Sequence, residues 1–193
     1  MIKALEHFKT ITKHKILVMR YCSRIGLYKQ GLLHDLSKYS WTEFRVGCKY
    51  YQGTSSPNSA ERKAIGMSTS WLHHKGRNKH HHEYWIDYDN NSGMVIGGVE
   101  MPRKYVAEMI MDRICACKVY AGATYTDESP LIYYMKSKDK DWFIHRETKA
   151  QMDCLLTMLA RDGEEQTLQY IKSEFLNGVL LPQDEMKRDC QHN

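Results

Sequence analysis

A histidine and an aspartate stand side by side in an apolar stretch of this chain. Residues 31–38 read Gly-Leu-Leu-His-Asp-Leu-Ser-Lys, so His34 and Asp35 are flanked by leucines. Burying an imidazole and a carboxylate in such surroundings costs several kcal/mol unless both groups are paired or coordinated. A divalent cation would satisfy both groups, provided that the fold brings further ligands to them. The two residues therefore predict a metal site.

The spacing of apolar residues over most of the chain is that of α-helices. In residues 2–25 an apolar stripe runs at steps of three and four, and it includes Phe8 and His14. In a second strong helix, over residues 102–121, the apolar stripe includes Asp112. We therefore expect the side chains of His14 and Asp112 to point into the core.

The same periodicity predicts an all-α fold class. Further helices are expected over residues 27–37, with the His-Asp pair near the end, and over residues 40–52, 57–74, 129–136, 140–161 and 164–177. Glycine and asparagine recur between residues 76 and 101, which is typical of a long loop or a small hairpin. The expected architecture is a helical bundle with this insertion.

Length and composition suit one globular domain. The chain has 193 residues, and we expect the domain to span residues 1–180 and a polar tail to cover residues 181–193. No run approaches the ~20 apolar residues that span a bilayer, and the first residues lack the pattern of a secretory signal. We therefore expect a cytoplasmic protein without a membrane segment. The net charge of +5 permits an anionic ligand.

Candidate metal ligands come from four stretches that are distant in sequence. They are His14, the pair His34 and Asp35, the pair His73 and His74, and Asp112. Taken singly, a histidine on an apolar stripe is more often a hydrogen-bonded core residue, and an inward aspartate is more often a cap or the partner of an arginine. Together they form a mixed imidazole and carboxylate set, which suits manganese, iron or zinc, with nickel and magnesium as alternatives.

The order His, His-Asp, Asp on a helical bundle resembles the HD superfamily of metal-dependent phosphohydrolases. Residues 31–38 are similar to its His-Asp-Ile-Gly-Lys signature, with Ser37 in place of glycine. This resemblance implies that Lys38 corresponds to the lysine that contacts a substrate phosphate or supports the metal cluster. Residues 71–85 loosely resemble the paired-histidine segment of the HD-GYP branch, although the Gly-Tyr-Pro tripeptide is absent. The whole chain also resembles a small bacterial and phage family of unknown function.

The resemblance implies metal-assisted hydrolysis of a phosphate ester, and we expect a nucleotide or a related small molecule as the substrate. The residues that would hold one ion are His14, His34, Asp35 and Asp112. His73 and His74 would hold a second ion or bind the phosphate. We expect one bound ion rather than two. If Asp35 bridges two ions, the pair can stabilise both the attacking and the leaving oxygen of the reaction.

The stretch after the paired histidines supplies candidates for substrate binding and for proton transfer. The candidates for substrate binding are Lys75, Arg77, Lys79 and His81. The three basic residues could clamp a phosphate through charge-assisted hydrogen bonds, or they could form a solvated loop. Glu83 could act as a general base, orient a ligand histidine or simply begin a short helix. Of the three consecutive histidines at positions 80–82, at most one or two can face the site.

Two other functions remain open from the sequence. Some helical HD proteins hold two irons and use dioxygen to oxidise a small polar substrate, and the extra histidines would serve that chemistry equally well. Alternatively, the chain could be a non-catalytic module that binds metal or nucleic acid. The modest charge and the absence of a recognisable nucleic-acid motif do not favour that alternative. The substrate, the metal and the oligomeric state are not specified by the sequence.

Overall fold

A computed structural model of the chain describes residues 2–88, 96–136 and 143–179. Helices dominate these ranges, which confirms the all-α fold class. The α-helices are α1 (Ile2–Arg24), α2 (Tyr28–Leu33), α3 (Trp41–Tyr50), α4 (Pro57–Ile65), α5 (Thr69–Lys75), α6 (Arg103–Ala121), α7 (Ser129–Met135), α8 (Arg146–Asp162) and α9 (Glu164–Ser173). Four short 3-10 turns cover Leu36–Tyr39, His82–Tyr84, Gly122–Thr124 and Phe175–Asn177.

A small antiparallel hairpin interrupts the helices. Strand β1 (Ile86–Tyr88) pairs with β2 (Ile96–Gly98), so that Ile86 lies opposite Gly98. This agrees with the hairpin expected between residues 76 and 101. Residues 89–95 of the predicted insertion, residues 140–142 of a predicted helix and the predicted tail at 181–193 lie outside the described residues.

Helix α6 runs through the centre of the molecule. Residues 106–111 are all buried, and the helix packs against α1, α7 and α8. Glu108 and Asp112 are the acidic residues of this otherwise mostly apolar helix, and they are four positions apart. Residues at that spacing lie on one face of a helix, one turn above the other. Helix α6 therefore presents two carboxylates to the same side of the core.

The buried side chains of α1 form a stripe that begins at His7 and includes His14, and the helix packs against both α6 and α3. Sequence periodicity placed Phe8 on this stripe, and that prediction was wrong, because Phe8 is 45% exposed. His7 is buried instead, against the ring of Phe44 at a centroid distance of 5.5 Å. Helix α3 approaches closely here because Gly47 leaves room for the imidazole; a Cβ atom at that position would collide with the His7 ring.

Three predicted helix boundaries were wrong for local reasons. The helix expected over residues 57–74 is two helices. Gly66 ends α4 by adopting φ +82°. The Ser68 hydroxyl then begins α5 by accepting a hydrogen bond from the Trp71 N–H at 3.1 Å. The helix expected over residues 27–37 ends at Leu33, before the His-Asp pair. Helix α8 begins at Arg146 rather than near residue 140.

In the three ranges that the structure describes, no helix combines the length and the apolar character needed to cross a membrane.

Candidate metal centre

The His-Asp pair lies in a tight turn between α2 and the following 3-10 turn. Asp35 has φ +54°, in the left-handed region, and it is the one described non-glycine residue with a positive φ. The Lys15 ammonium ties the turn to α1 by donating hydrogen bonds to the carbonyl oxygens of Leu32 at 2.6 Å and His34 at 3.1 Å. Both His34 and Asp35 are only 2% exposed. The turn therefore directs two consecutive side chains into the interior.

The first ligand group consists of His14, His34, Asp35 and Asp112. His14 Nε2 lies 2.8 Å from Asp112 Oδ1, and His34 Nε2 lies 3.3 Å from Asp35 Oδ2 and 3.5 Å from Asp112 Oδ1. One potential ligand atom from each of the four residues lies within 4.8 Å of all the others. The structure thus brings together the four residues that the sequence predicted as ligands of one ion.

Several buried polar atoms of this group lie close to one another without forming hydrogen bonds of acceptable geometry. His14 Nε2, His34 Nε2 and both carboxylate oxygens of Asp35 are buried without a hydrogen-bond partner of acceptable geometry, although oppositely charged atoms lie close by. A hydrogen bond requires the donor N–H to point at its acceptor. Buried polar atoms are rarely left unsatisfied. Imidazole nitrogens and carboxylate oxygens that converge in this way fit a divalent cation.

The second ligand group consists of Asp35, His74, His80 and His81. Asp35 Oδ1 lies 3.2 Å from His74 Nε2 and 3.5 Å from His80 Nε2, and His74 Nε2 lies 2.9 Å from His81 Nε2. Asp35 Oδ1 therefore faces the second group, whereas Asp35 Oδ2 faces the first. The Asn78 side chain folds the loop back onto α5 by donating a hydrogen bond to the His74 carbonyl at 2.8 Å. This fold brings two loop histidines to the end of α5.

Two buried glutamates hold the outer ring nitrogens of the ligand histidines. Glu108 Oε1 lies 3.0 Å from His34 Nδ1 and 3.2 Å from His80 Nδ1. Glu43 Oε2 lies 2.8 Å from His74 Nδ1, and Glu43 Oε1 lies 2.6 Å from Nδ1 of the neighbouring histidine at position 73. With Nδ1 beside a carboxylate, the Nε2 atoms of His34, His74 and His80 are left to face the ligand groups. Glu108 also lies close enough to His34 and His80 to form a third group that could hold an ion.

The pKa values of the ligand residues are shifted by burial and by one another. Burial raises the pKa of Asp35, but His34 and Lys38 outweigh it and hold that pKa well below the ordinary range. The pKa of Asp112 is likewise held low, against the effect of burial, by His14 and His34. Burial lowers the pKa of His14 and, more strongly, that of His81. At neutral pH the carboxylates are therefore anionic and these two imidazoles are neutral. The pKa values of His34 and His74 are instead raised, against the effect of burial, by Asp35 and by the carboxylates beside them, so an ion at these two residues would have to displace a proton.

The structure places the other predicted site residues around these groups. Lys38 Nζ lies 2.5 Å from Asp35 Oδ2, and the lysine side chain is 29% exposed. His73 pairs with Glu43 and belongs to none of the three ligand groups found among the described residues. His81 was assigned to the substrate, but its Nε2 lies among the atoms of the second ligand group. Glu83 Oε2 lies 3.6 Å from His82 Nε2, and burial raises the pKa of Glu83.

The basic residues of the loop after α5 are turned to its surface. The Arg77 guanidinium donates a hydrogen bond to the His73 carbonyl at 3.3 Å, and the Lys79 ammonium lies 5.7 Å from the centre of the Tyr84 ring. Lys75 is half-buried, whereas Arg77 and Lys79 are exposed. These positive charges therefore lie near the second ligand group in the chain, but none of the three residues belongs to a ligand group.

A small cleft lies beside residues that contact the ligand groups. It lies between α1, α3 and the start of α4, and its wall includes Lys38, Glu43 and Tyr120. Lys38 contacts Asp35 and Glu43 contacts His74, so two residues of the cleft wall each touch a ligand residue. The ligand residues themselves do not line the cleft, whose volume is about 50 Å³.

Sequence reasoning missed three residues of the site. Glu108 could have been found from its helical spacing, because it precedes Asp112 by one turn on the same face of α6. Glu43 lies in the first turn of α3, and its place in the sequence does not indicate that it contacts the histidines of α5. His80 stood among consecutive histidines, and only the fold of the loop shows that it turns inward with His81.

A family model described as "Family of unknown function (DUF5662)" matches residues 3–158. The chain belongs to this family. The matched region contains every residue of the three ligand groups, from His14 to Asp112. No curated protein and no solved structure matches the chain. The resemblance to the HD superfamily therefore stays a prediction, and the chemistry of the site has to be inferred from its ligand groups.

Proposed function

We propose that this protein is a metal-dependent phosphohydrolase that holds two divalent cations and cleaves a phosphate ester, with a nucleotide as the expected substrate. The observation that carries the proposal is the position of Asp35. Its two oxygens face two different groups of buried histidines and carboxylates. A carboxylate between two ligand groups is the arrangement expected for a pair of ions that share one bridging ligand. The sequence alone favoured one ion, and the second ligand group supports two.

The donor atoms narrow the choice of ion. The first group would contribute two imidazoles and two carboxylates, and the second would contribute three imidazoles and the shared carboxylate of Asp35. Such nitrogen-rich sets suit manganese, iron, zinc or nickel better than magnesium, which prefers oxygen ligands. When bound, divalent ions of this kind lower the pKa of a coordinated water toward neutrality and polarise a phosphoryl oxygen.

Residues of the chain would bind and orient the substrate beside the ions. Lys38 lines the cleft and is partly exposed, so its ammonium, which contacts Asp35, could also donate a charge-assisted hydrogen bond to a phosphate oxygen. The exposed Arg77 and Lys79 would raise the local concentration of an anionic substrate through their positive charge. Glu83 is a candidate for accepting or returning a proton, because burial raises its pKa above the ordinary value for a glutamate.

The proposal is tested by replacing Asp35 with asparagine. Asn is the suitable substitution because it tolerates the left-handed backbone conformation and keeps the size of the side chain while removing its charge. We expect the purified wild-type protein to contain two ions per chain after loading with manganese, iron or zinc, and to release phosphate from at least one member of a panel of nucleotides and other phosphate esters. Asp35→Asn should lose at least one ion and the activity.

A histidine outside the site provides the control. His145 accepts a hydrogen bond at the start of α8, and His145→Asn keeps a side chain that can cap the helix. This variant should retain both ions and the wild-type rate. A wild-type protein that binds no ion, or that binds two ions and hydrolyses no phosphate ester in the panel, would contradict the proposed function.

A second candidate function is supported by the five imidazoles of the two ligand groups. A nitrogen-rich pair of sites also suits iron, and two irons could support oxidation of a small polar substrate by dioxygen. Two irons per chain together with substrate-dependent oxygen consumption would favour this function over hydrolysis. Tight binding of manganese or nickel without any preference for iron would speak against it.

A further inference from the structure

Glu108 is a buried carboxylate that touches both ligand groups. It is 4% exposed, and its Oε1 atom accepts a hydrogen bond from Nδ1 of His34 at 3.0 Å and lies 3.2 Å from Nδ1 of His80. His34 belongs to the first ligand group and His80 to the second. The centres of the two imidazole rings are 4.4 Å apart. One oxygen atom thus holds one histidine from each group.

The contacts of Glu108 fix which nitrogen each histidine can offer to an ion. A histidine that binds a metal usually donates its other ring N–H to a carboxylate or carbonyl, which sets its tautomer and its ring orientation. With Nδ1 bound to Glu108, both His34 and His80 present Nε2, and both of these Nε2 atoms are buried without a hydrogen-bond partner of acceptable geometry. Both ring orientations therefore depend on the same carboxylate oxygen.

We propose that Glu108 is a positioning residue shared by the two ion sites, so that its charge and position determine the affinity of both. This inference rests on the two-ion centre of the proposed function. Glu108 would not itself bind an ion in either site, and it would act through His34 and His80. The surroundings on α6 favour a specific role, because the neighbouring residues Ala107 and Met109 are buried and apolar, and a carboxylate among them is costly unless it is paired.

Glu43 offers a matched comparison within the same chain. It is also a buried glutamate, at 6% exposure, and it also accepts hydrogen bonds from two Nδ1 atoms, those of His73 and His74. Of these two histidines, only His74 belongs to a ligand group. Glu43 therefore serves the second site alone. Loss of the charge at position 108 should weaken both ion sites, whereas loss of the charge at position 43 should weaken one.

The test is a metal titration of the full chain as wild type, Glu108→Gln and Glu43→Gln. Zinc or manganese is titrated in competition with a coloured chelator, and the number of ions and both dissociation constants are fitted. In Glu108→Gln we expect both ions to bind more weakly, each by about 10- to 100-fold, which is the usual effect of losing a hydrogen-bonded partner of a metal ligand. In Glu43→Gln only one ion should bind more weakly.

A second measurement reports on the histidines directly. Long-range proton–nitrogen NMR spectra of the metal-loaded protein distinguish Nδ1–H from Nε2–H tautomers. The wild type should show Nδ1–H for His34 and His80, and Glu108→Gln should broaden or mix these signals, while His74 keeps its wild-type tautomer. If Glu108→Gln does not fold, Glu108→Asp takes its place, because the shorter side chain keeps the charge and withdraws it from both rings. It should also weaken both sites.

The outcomes separate this inference from the proposed function. A wild-type protein that binds no ion would refute the two-ion centre and the inference with it. Two ions in the wild type with unchanged affinities in Glu108→Gln would overturn the inference alone. Complete loss of one ion with the other unchanged would make Glu108 a direct ligand of a single site, which also overturns it. Equal weakening of both sites by Glu43→Gln would show a general effect of buried charge, and this would overturn it too.

Discussion

Replacing Gly31 with alanine should damage the metal centre without touching any ligand. Gly31 lies inside α2, three residues before His34, and packs directly on the backbone of α1. A Cβ atom at this position would lie 2.8 Å from Cys22 Cβ and 3.0 Å from Met19 Cα. The atoms that it meets are backbone or attached directly to backbone, so they cannot rotate away. Helix α2 would have to move away from α1.

The size of the effect follows from these distances. A separation of 2.8 Å is about 0.7 Å shorter than the distance of about 3.5 Å at which carbon atoms pack. Overpacking of this kind costs about 3 kcal/mol at its upper end, and alanine returns about 1 kcal/mol through its higher helix propensity. The net loss of about 2 kcal/mol should lower the Tm by about 4–8 °C for a chain of this length.

Metal affinity should respond as well, because the turn that carries His34 and Asp35 follows α2 directly. Metal–ligand distances are held within about 0.2 Å, so a displacement of several tenths of an ångström in this turn should weaken at least one ion about tenfold or more. Thermal unfolding in the presence of a chelator measures the stability, and a zinc or manganese titration measures the affinity.

Gly76→Ala is the matched control for Gly31→Ala. Gly76 ends α5 with φ −73°, which any residue can adopt, and the nearest atom to a Cβ there is the Leu72 carbonyl oxygen at 3.5 Å, an ordinary contact. This variant should keep the wild-type Tm. If Gly31→Ala has the Tm and the metal affinities of the wild type, close packing of α2 on α1 does not position the His-Asp turn.

Two further predictions concern metal removal and pH. Ions at a free concentration about 100 times their dissociation constant stabilise the folded state by about 2.7 kcal/mol per site, so adding a chelator should lower the Tm by about 5–10 °C for each ion removed; an unchanged Tm would contradict ion binding to the folded chain. Burial, with a smaller contribution from Lys38, lowers the pKa of His7 to about 4. In the unfolded chain His7 has its ordinary pKa of 6.5. Below that pH the unfolded state therefore binds more protons than the folded state, and the free energy of unfolding falls as the pH drops. Between pH 7 and pH 5, in chelator, the wild type should lose about 1–2 kcal/mol more than His7→Phe in urea unfolding; equal losses would show that His7 is not held neutral.

Helical periodicity was sufficient for the parts of the site that lie on long helices. His14 and Asp112 were predicted to face the core from their places on apolar stripes, and the structure brings them within 2.8 Å of each other. Periodicity gave no information for the loop after α5, because loop residues have no repeating orientation. The inward turn of His80 and His81 depends on tertiary contacts such as the hydrogen bond from Asn78 to the His74 carbonyl. These ligands could not be assigned from spacing.

The backbone at Asp35 explains why the His-Asp pair could not have remained in a helix. Successive side chains in a helix diverge by about 100°, so neighbouring residues cannot both face one point. Ending α2 at Leu33 and placing Asp35 in the left-handed region turns both side chains inward. A non-glycine residue in that conformation is uncommon, and such residues concentrate at functional sites, where the surrounding structure holds them in place. Here the hydrogen bonds from Lys15 and the close packing at Gly31 provide that support. The strained turn lets one carboxylate face two ligand groups, which a helical aspartate next to His34 could not do.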